Sequence, residues 1–404
     1  MAWGSVVLGV AVMQQSGRRG EKRGGEPLLS VVVPTYNERE NLPRLLEEVD
    51  RVLRSRGVSY EVVVVDDDSP DGTWRVAEEL ARERGLPVRV VRRLGERGLG
   101  SAIARGLREA RGRYIVVMDA DLQHPPEAIP RLLEEARRSG VDLVVASRYA
   151  RGGGVEGWSR ARFLASRVAC LLAHLVLPEA RATSDPMSGF FLVSRRLAGR
   201  APREPRSWKI LLDLLVAARG SVSEVPYVFR RRAAGESKLG AREMLDYLRH
   251  LLVLSGYRPV KFALVGASGT LVNLAVLRLL HGGLGAPLPL AFLAAFEASL
   301  TWNYMLHDSW TFRGQRPPGL ASKLRYWLRY HAAALGGFAA YMAVGMALAA
   351  LGLGYLLADL AGIVAGFLAN YTLSVYRVWY WPPGEAARDT GNREAKPGNA
   401  GFVL

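Results

Sequence analysis

The chain has 404 residues, a formal net charge of +16 and an estimated pI of about 10.2. That length excludes a single small domain, and the lone cysteine, Cys170, excludes an internal disulfide and a cysteine-based zinc site. The basic charge admits nucleic acid, an anionic membrane surface or a phosphorylated ligand as partner, without choosing among them.

Residues 1–27 have about twelve apolar positions before the first charge, which is too few to span a bilayer. We predict a disordered or interfacial leader there. From Leu28 onward, continuous apolar runs alternate with amphipathic helical patterns, and this alternation predicts strands covered by helices on both faces. The expected domain, residues 28–238, is therefore α/β with a mostly parallel, Rossmann-like sheet.

Two amphipathic helices follow in the pattern. The first, about residues 158–177, has apolar residues on one face, which admits packing on the sheet or lying in a membrane interface. The second, residues 239–258, directly precedes a hydrophobic region and carries Met244 and Leu248 on one face. For this second helix we favour an interfacial position.

Residues 259–380 predict an all-α domain of four transmembrane helices, because each apolar stretch is near the length that crosses a bilayer. The stretches are about 259–280, 287–306, 331–351 and 355–376. The loop between the second and third is rich in Arg and Lys, so the positive-inside rule places it, the large N-terminal domain and both termini in the cytoplasm. An Asn-Tyr-x-Leu motif at Asn303 and Asn370 indicates a repeated two-helix hairpin. Residues 381–404 are polar and predict a disordered tail.

Acidic residues follow three of the predicted strands. Glu38 comes after VVVPTY, Asp67 lies in VVVVDDDSPDGT, and Asp119 and Asp121 lie in VVMDADLQHPPE. The carboxyl ends of parallel strands share one edge of a sheet, where ligands bind. Two carboxylates so close together either raise the pKa of one of them or require a cation between them. With the Gln123 amide oxygen they form a hard donor set that suits Mg²⁺ or Mn²⁺ bridging a diphosphate.

The motifs PTYNE, VDDDSPDGT, DADLQHPPE, ASRY and TSDPMSGFF, in this order and spacing, resemble the glycosyltransferase family 2 enzymes with a GT-A fold. Among these they are most similar to dolichyl-phosphate mannose synthases. The resemblance covers about residues 28–250. The segment that begins PVKFALVGASGTLVN is similar to the GtrA-like membrane domain of some archaeal and bacterial members.

The resemblance implies an inverting, single displacement that moves mannose from GDP-mannose to dolichyl or another polyprenyl phosphate, with Asp119, Asp121 and Arg148 as catalytic residues. It implies a metal held by Asp119, Asp121 and Gln123. It also implies a nucleoside pocket formed by Pro34, Tyr36, Glu38 and Asp67. Arginine guanidinium groups and hydroxyl groups donate hydrogen bonds to the oxygens of an acceptor phosphate. The candidates for that role are Arg148, Arg162, Ser166, Arg232, Ser237 and Lys238.

These features predict an integral protein of the plasma membrane of an archaeon or bacterium. No nucleic acid is expected as a partner, because the basic residues are spread along the chain without a recognised reading motif. Two alternatives stay open. One is glucosyl transfer from UDP-glucose, and the other is a lipid-linked sugar transporter or recruiting protein, for which four helices are few.

Overall fold

The computed structural model describes residues 26–231 and 241–380. Its first part is built on one seven-stranded sheet and a separate two-stranded sheet. The strands, in chain order, are β1 (Leu29–Thr35), β2 (Tyr60–Asp66), β3 (Val88–Arg92), β4 (Tyr114–Val117), β5 (Leu143–Ser147), β6 (Gly154–Val155), β7 (Phe191–Ser194), β8 (Val222–Pro226) and β9 (Val228–Phe229).

The large sheet has the strand order β3-β2-β1-β4-β7-β5-β8. Its strand pairs are parallel except those of β7, which runs antiparallel to β4 and β5. The valines of β1 and β2 are fully buried because helices cover both faces, as the continuous apolar runs predict. The expectation of a mostly parallel α/β sheet is confirmed.

Helices cover this sheet in two layers. Side chains of α1 and α4 pack on one face, and those of α3, α5 and α7 pack on the other. The helices of this part are α1 (Leu42–Ser55), α2 (Thr73–Arg84), α3 (Leu99–Glu109), α4 (Ile129–Ser139), α5 (Arg160–Val176), α6 (Arg195–Ala198) and α7 (Ile210–Ala218). The carboxyl ends of β1, β2 and β4 therefore open at one edge between the layers.

The sequence left open whether helix α5 packs on the sheet or lies in a membrane interface, and the helix has features of both. Its small residues Ala169, Cys170 and Ala173 are buried against the domain. Larger apolar side chains, among them Leu164 (64% exposed) and Leu171, point outward. The helix thus packs on the catalytic domain through small residues and offers a row of large apolar side chains to its surroundings.

Five helices form the rest of the described chain: α8 (Ala241–Leu254), α9 (Arg258–Leu277), α10 (Leu288–Leu306), α11 (Leu320–Ala350) and α12 (Tyr355–Leu373). Helix α8 buries Tyr247 and Leu251 but exposes Met244 and Leu248. Tyr247 donates from its hydroxyl to the Ala169 carbonyl, at 2.6 Å, so α8 is fastened to α5.

Three helical segments in the described residues are long and apolar enough to cross a membrane: Arg258–Gly283, Leu320–Ala350 and Tyr355–Trp379. The second of the four expected spans, α10, is present as a helix but falls short of that composition. Glu297, Trp302 and Asn303 lower the mean hydropathy of its second half. That α10 crosses the membrane therefore stays a prediction.

The third apolar stretch, expected at about 331–351, lies within a longer helix that begins at Leu320. The stretch LASKLRYWLRY is basic, and for that reason it was assigned to a loop. It nevertheless has helical spacing, because Tyr326 and Tyr330 turn inward while Arg325 and Leu328 remain exposed.

The membrane domain consists of two similar hairpins, α9–α10 and α11–α12. In the first, a Cβ on Gly269 would lie 2.3 Å from Asn303 Oδ1, and in the second, a Cβ on Gly337 would lie 2.7 Å from Asn370 Cβ. Each hairpin thus places a glycine where the Asn of the repeated motif crosses the neighbouring helix. This geometry supports the interpretation of an internal repeat.

Candidate functional site

The turns that follow β1, β2 and β4 each contain a non-glycine residue in the left-handed region. These residues are Asn37 (φ 59°), Asp68 (φ 55°) and Leu122 (φ 62°). L-residues avoid this region, and conformations of this kind concentrate at functional sites because the surrounding structure must hold them there. All three strand-end turns at this edge are therefore specifically shaped.

Asp66 holds the first two turns together. Its carboxylate accepts hydrogen bonds from Thr35 Oγ1 at 2.8 Å, from Ser69 N at 2.8 Å and from Ser69 Oγ at 2.7 Å. It is fully buried, so its role is to join β1 to the turn after β2. The next acid in the chain, Asp67, is thereby directed to the open edge.

Asp67 is buried and contacts two donors. Its Oδ2 accepts from Gly98 N at 2.7 Å, and its Oδ1 lies 2.8 Å from Arg93 Nη1. Burial raises the pKa of Asp67, although Gly98 and Arg93 both favour the charged form. The side chain is thus a carboxylate held in place by the loop that precedes α3.

The other predicted nucleoside residues lie on the turn after β1. Pro34 is buried in β1, where it pairs with β2, and Tyr36 and Glu38 are half-buried. The Arg97 guanidinium lies 5.1 Å from the Tyr36 ring centroid. A cavity of about 660 Å³ opens beside these turns and is lined by Asp68, Trp74, Arg92 and Arg97 among others. None of the four predicted nucleoside residues lines this cavity, but their chain neighbours Arg39 and Asp68 do, so the predicted residues lie on the turns that border it.

The turn after β4 presents Asp119, Asp121 and Gln123. The Asp119 side chain is 37% exposed, whereas Asp121 and Gln123 are buried. Asp121 Oδ1 accepts from Gln123 N at 3.1 Å, and Gln123 Nε2 donates to the Arg230 carbonyl at 3.0 Å. With its nitrogen bound to the backbone, the Gln123 amide keeps its oxygen as an acceptor.

This donor set fits a hard divalent cation, since carboxylate and amide oxygens are the ligands that Mg²⁺ and Mn²⁺ prefer. Within residues 26–231 and 241–380, no three His, Cys, Asp or Glu side chains gather closely enough to hold an ion by themselves. A cation at Asp119 and Asp121 would therefore complete its coordination with water or with phosphate oxygens of a ligand. We call Asp67, Asp119, Asp121 and Gln123 the acidic edge.

His124 supports this turn from behind. Its Nδ1 accepts from Asp119 N at 3.0 Å, and its ring stacks on Phe190 with the centroids 5.1 Å apart. Burial lowers the pKa of His124 to about 4, so the imidazole is neutral at pH 7 and forms no ion pair with Asp119, 3.8 Å away. Through these contacts His124 shapes the loop that carries Asp119 and Asp121.

Arg148, the predicted catalytic and acceptor-phosphate residue, is buried in an ion pair with Asp185. Its Nε and Nη2 donate to the two carboxylate oxygens at 2.6 and 2.7 Å, and its backbone N donates to Oδ2 at 3.0 Å. The guanidinium also lies 5.2 Å from the Trp158 ring centroid. Burial disfavours the guanidinium charge, but the bonds to Asp185 outweigh it and raise the pKa of Arg148.

Arg162 and Ser166 join the same group of side chains from α5. The Arg162 guanidinium lies 4.5 Å from the Trp158 ring centroid, and Tyr149 donates from its hydroxyl to Ser166 Oγ at 2.8 Å. We call Arg148, Tyr149, Trp158, Arg162 and Ser166 the arginine–aromatic cluster. The remaining predicted phosphate residues, Arg232, Ser237 and Lys238, lie outside the described residues.

Sequence reasoning missed two features of the site. Asp185 lies in the motif TSDPMSGFF, and nothing in the sequence indicated that it pairs with Arg148, as it does in the structure. Lys209 was not considered, although its ammonium donates to the Met187 carbonyl and lies 4.0 Å from the Trp208 ring centroid. One signal was available for the second feature, because Lys209 is the only lysine between Lys22 and Lys238.

Two family profiles match the chain. "Glycosyl transferase family 2" matches residues 30–200, and "GtrA/DPMS, transmembrane domain" matches residues 261–379. The first covers the large sheet except β8, together with the acidic edge, and the second covers most of α9 and all of α10 to α12.

Curated relatives match most of the chain. A dolichol-phosphate mannosyltransferase of Pyrococcus furiosus is 44% identical over 357 residues, which are 87% of this chain and 99% of the relative. A protein of the same name from Saccharomyces cerevisiae is 38% identical over 55% of this chain and 85% of its own length.

Solved structures resemble the first part of the chain more distantly. A mannosyl-3-phosphoglycerate synthase from Rubrobacter xylanophilus is 22% identical with a TM-score of 0.46, covering 57% of this chain and 76% of that protein. A glucosyl-3-phosphoglycerate synthase from Mycobacterium tuberculosis, crystallised with Mn²⁺ and UDP, is 23% identical with a TM-score of 0.44, covering 57% and 80%.

Proposed function

Because the chain belongs to glycosyltransferase family 2, among the dolichol-phosphate mannosyltransferases with a GtrA-type membrane domain, we propose that it makes polyprenyl-phosphate mannose from GDP-mannose. The acceptor is dolichyl phosphate or a related polyprenyl phosphate. The observation that carries this proposal is the acidic edge, which lies in the same domain as an arginine–aromatic cluster reached from α5. The acidic edge can hold a nucleoside diphosphate, and the arginine–aromatic cluster can hold a lipid phosphate.

The donor occupies the acidic edge in this proposal. Tyr36, Glu38 and Asp67 contact the nucleoside beside Pro34, and the cavity next to them provides the space. Asp119, Asp121 and Gln123 hold Mg²⁺ or Mn²⁺, which supplies charge neutralisation to the departing diphosphate. The buried Asp121 and the backbone bonds of Gln123 hold these ligands in position before the donor arrives.

The acceptor phosphate attacks the sugar in a single displacement with inversion. It is already an anion, so a strong general base is unnecessary and the rate depends on positioning and electrostatics. Arg148 and Arg162 hold the phosphate near the Trp158 side chain, and Ser166 adds a hydroxyl. Asp119, the partly exposed carboxylate, orients the nucleophile or the cation.

The lipid substrate requires that this site lie at a membrane surface. Outward apolar residues of α5 and α8, such as Leu164 and Leu248, form a face that suits the interface, and Arg160 and Arg167 on α5 suit anionic head groups. We propose that both helices rest on the cytoplasmic face of the plasma membrane. The basic residues between α10 and α11 support that orientation through the positive-inside rule.

The direct test is transfer by the detergent-solubilised full chain from a panel of radiolabelled nucleotide sugars to dolichyl phosphate. Each donor is assayed with Mg²⁺, Mn²⁺ or EDTA. We expect lipid labelling from GDP-mannose that is lost in EDTA and restored by added divalent cation.

Other outcomes would change the proposal in defined ways. Labelling from UDP-glucose would mean that the donor is UDP-glucose and that the transferred sugar is glucose. Undiminished labelling in EDTA would mean that the transfer does not require a divalent cation. An absence of transfer from every donor would favour the recruiting or transport function instead.

A further inference from the structure

We propose that Lys209 is a phosphate-binding residue of this site, whose ammonium donates hydrogen bonds to phosphate oxygens of the reacting substrates beside Asp119. This inference rests on the proposed function and adds a residue to its binding machinery. The phosphate is either the donor's diphosphate or the acceptor's monophosphate, and the experiment below separates the two.

The position of Lys209 links the two halves of the site. Its ammonium donates to the carbonyl of Met187, in the loop that runs from Asp185 to Gly189. At one end of that loop Asp185 pairs with Arg148. At the other end a Cβ on Gly189 would lie 3.3 Å from Asp119 Oδ2. The ammonium thus binds the short segment that touches both the acidic edge and the arginine–aromatic cluster.

Lys209 differs from Arg148 in what neutralises its charge. Arg148 is matched by both oxygens of Asp185, whereas Lys209, across residues 26–231 and 241–380, has no carboxylate within ion-pair distance. An ammonium has three donors, and the Met187 carbonyl uses one. A partly buried cation with spare donors is unfavourable unless an anion approaches it. A phosphate oxygen between Asp119 and Arg148 would supply that anion.

The electrostatic surroundings agree with this geometry. Burial and then the nearby Arg148 charge lower the pKa of Lys209 to about 8, against the opposite effect of Asp119 and Asp185. The ammonium is still the major form at neutral pH. Binding of a phosphate anion would favour the charged form further.

The choice of lysine is also informative. Of the 54 basic residues only six are Lys, and residues 26–231 contain Lys209 alone. A chain that uses Arg at nearly every basic position has kept a compact ammonium here. The lysine ammonium is compact and fits beside the guanidinium of Arg148. The planar guanidinium of an arginine at position 209 would need more room.

Lys209 is held by contacts that lead to the membrane domain. Its backbone N donates to Ser207 Oγ at 3.1 Å, and the same hydroxyl lies 2.7 Å from His250 Nδ1 on α8. His250 Nε2 is in turn 3.1 Å from Asp213 Oδ2 on α7. The backbone of Lys209, which immediately precedes α7, is therefore fixed relative to α8, the helix that leads into the membrane domain.

The test compares the wild-type full chain with Lys209→Met, which keeps the side-chain length without the charge, and Lys209→Arg, which keeps the charge. Arg56→Met, at an exposed position after α1, is the matched control. Calorimetry measures the binding of GDP and of guanosine in Mn²⁺, and initial rates give the KM for dolichyl phosphate. If the donor panel identifies a uridine nucleotide, UDP and uridine replace the guanine pair.

We expect Lys209→Met to lose about tenfold or more in affinity for one phosphate ligand, with guanosine binding unchanged, and Lys209→Arg to lie closer to the wild type. Weaker GDP binding assigns the ammonium to the diphosphate, and a raised lipid KM alone assigns it to the acceptor. Unchanged values for both, or an equal loss for guanosine and GDP, would overturn the inference. Wild-type protein that binds GDP without making lipid-linked mannose would refute the proposed function instead, and the GDP comparison would still decide the role of Lys209.

Discussion

The acidic edge and the arginine–aromatic cluster are built in different ways. The acidic edge consists of residues at the ends of β2 and β4, held by backbone N–H groups and by turns with left-handed residues. The cluster consists of side chains from the segment between β5 and α5 and from α5 itself, held by an ion pair and aromatic rings.

The difference has a consequence for ligand binding. Sheet ends cannot move without breaking the strand ladder, so the proposed donor site is rigid before the donor arrives. In the cluster, the Arg148 guanidinium already donates hydrogen bonds to Asp185. The lipid phosphate therefore has to share Arg148 with Asp185 or displace that contact. We therefore expect mutations at the acidic edge to affect mainly the chemical step, and mutations in the cluster to affect mainly lipid binding and stability.

The largest effect is expected from Asp121→Asn at the acidic edge. The amide keeps an oxygen that can accept from Gln123 N but loses the charge that holds the cation, so transfer should fall by at least about a hundredfold. Initial rates at saturating substrates measure the loss, and thermal unfolding in detergent should be nearly unchanged. Glu134→Gln, an exposed acid on α4, should retain normal rates. If the Asp121 variant keeps activity within a few-fold of the wild type, the assignment of a catalytic cation to this edge is wrong.

A second effect separates binding from stability in the cluster. Arg148→Ala leaves Asp185 buried without its partner, so the protein should lose about 3–5 kcal/mol of stability as well as lipid affinity. The KM for dolichyl phosphate should rise more than the KM for the nucleotide sugar. Thermal unfolding and substrate-dependent initial rates measure the two effects.

The double variant Arg148→Met with Asp185→Leu is the control for that pair. It removes both charges, so it should recover much of the stability while keeping the raised lipid KM. Recovery of lipid affinity in the double variant, or an unchanged lipid KM in the single variant, would place the acceptor phosphate elsewhere.

The smallest effect is expected at the exposed side of the cluster. Arg162→Ala removes a guanidinium that is half-exposed over Trp158, so the lipid KM should rise by about three- to tenfold with little change in unfolding temperature. Arg160→Ala, an exposed residue at the start of the same helix, serves as the control. If both variants change the lipid KM equally, the effect comes from general attraction to the membrane surface and not from a specific phosphate contact.

The acidic edge could be predicted from sequence because its geometry is local. Runs such as VVVVDDD place Asp67 at a strand end, and the parallel sheet then brings Asp119 to the same edge. The cluster was predicted only in part. Arg148 and Asp185 are far apart in the chain, and no local pattern indicates that an antiparallel strand, β7, brings the loop before it against β5.

Membrane-facing helices limited sequence reasoning for another reason. In α5 the large apolar residues face outward and small residues such as Ala169 and Ala173 form the core contact. A helix that meets both protein and lipid, as we propose for α5, has two apolar faces. A periodicity argument assigns such a helix one face only. Residues 320–330, expected in a loop because they are basic, are likewise helical in α11, with their basic residues on its exposed side.

By itself the sequence determined the α/β alternation, the acids at the strand ends, the membrane domain and the family, because these depend on local periodicity and on motifs read in order. Only the tertiary structure decided that Arg148 is paired with Asp185 and that Lys209 has no carboxylate partner within residues 26–231 and 241–380, since burial and charge balance depend on residues that are distant in the chain. It also decided which face of α5 is core. The sequence lists the charges of this site, but their energies are set by the neighbours that folding gives them.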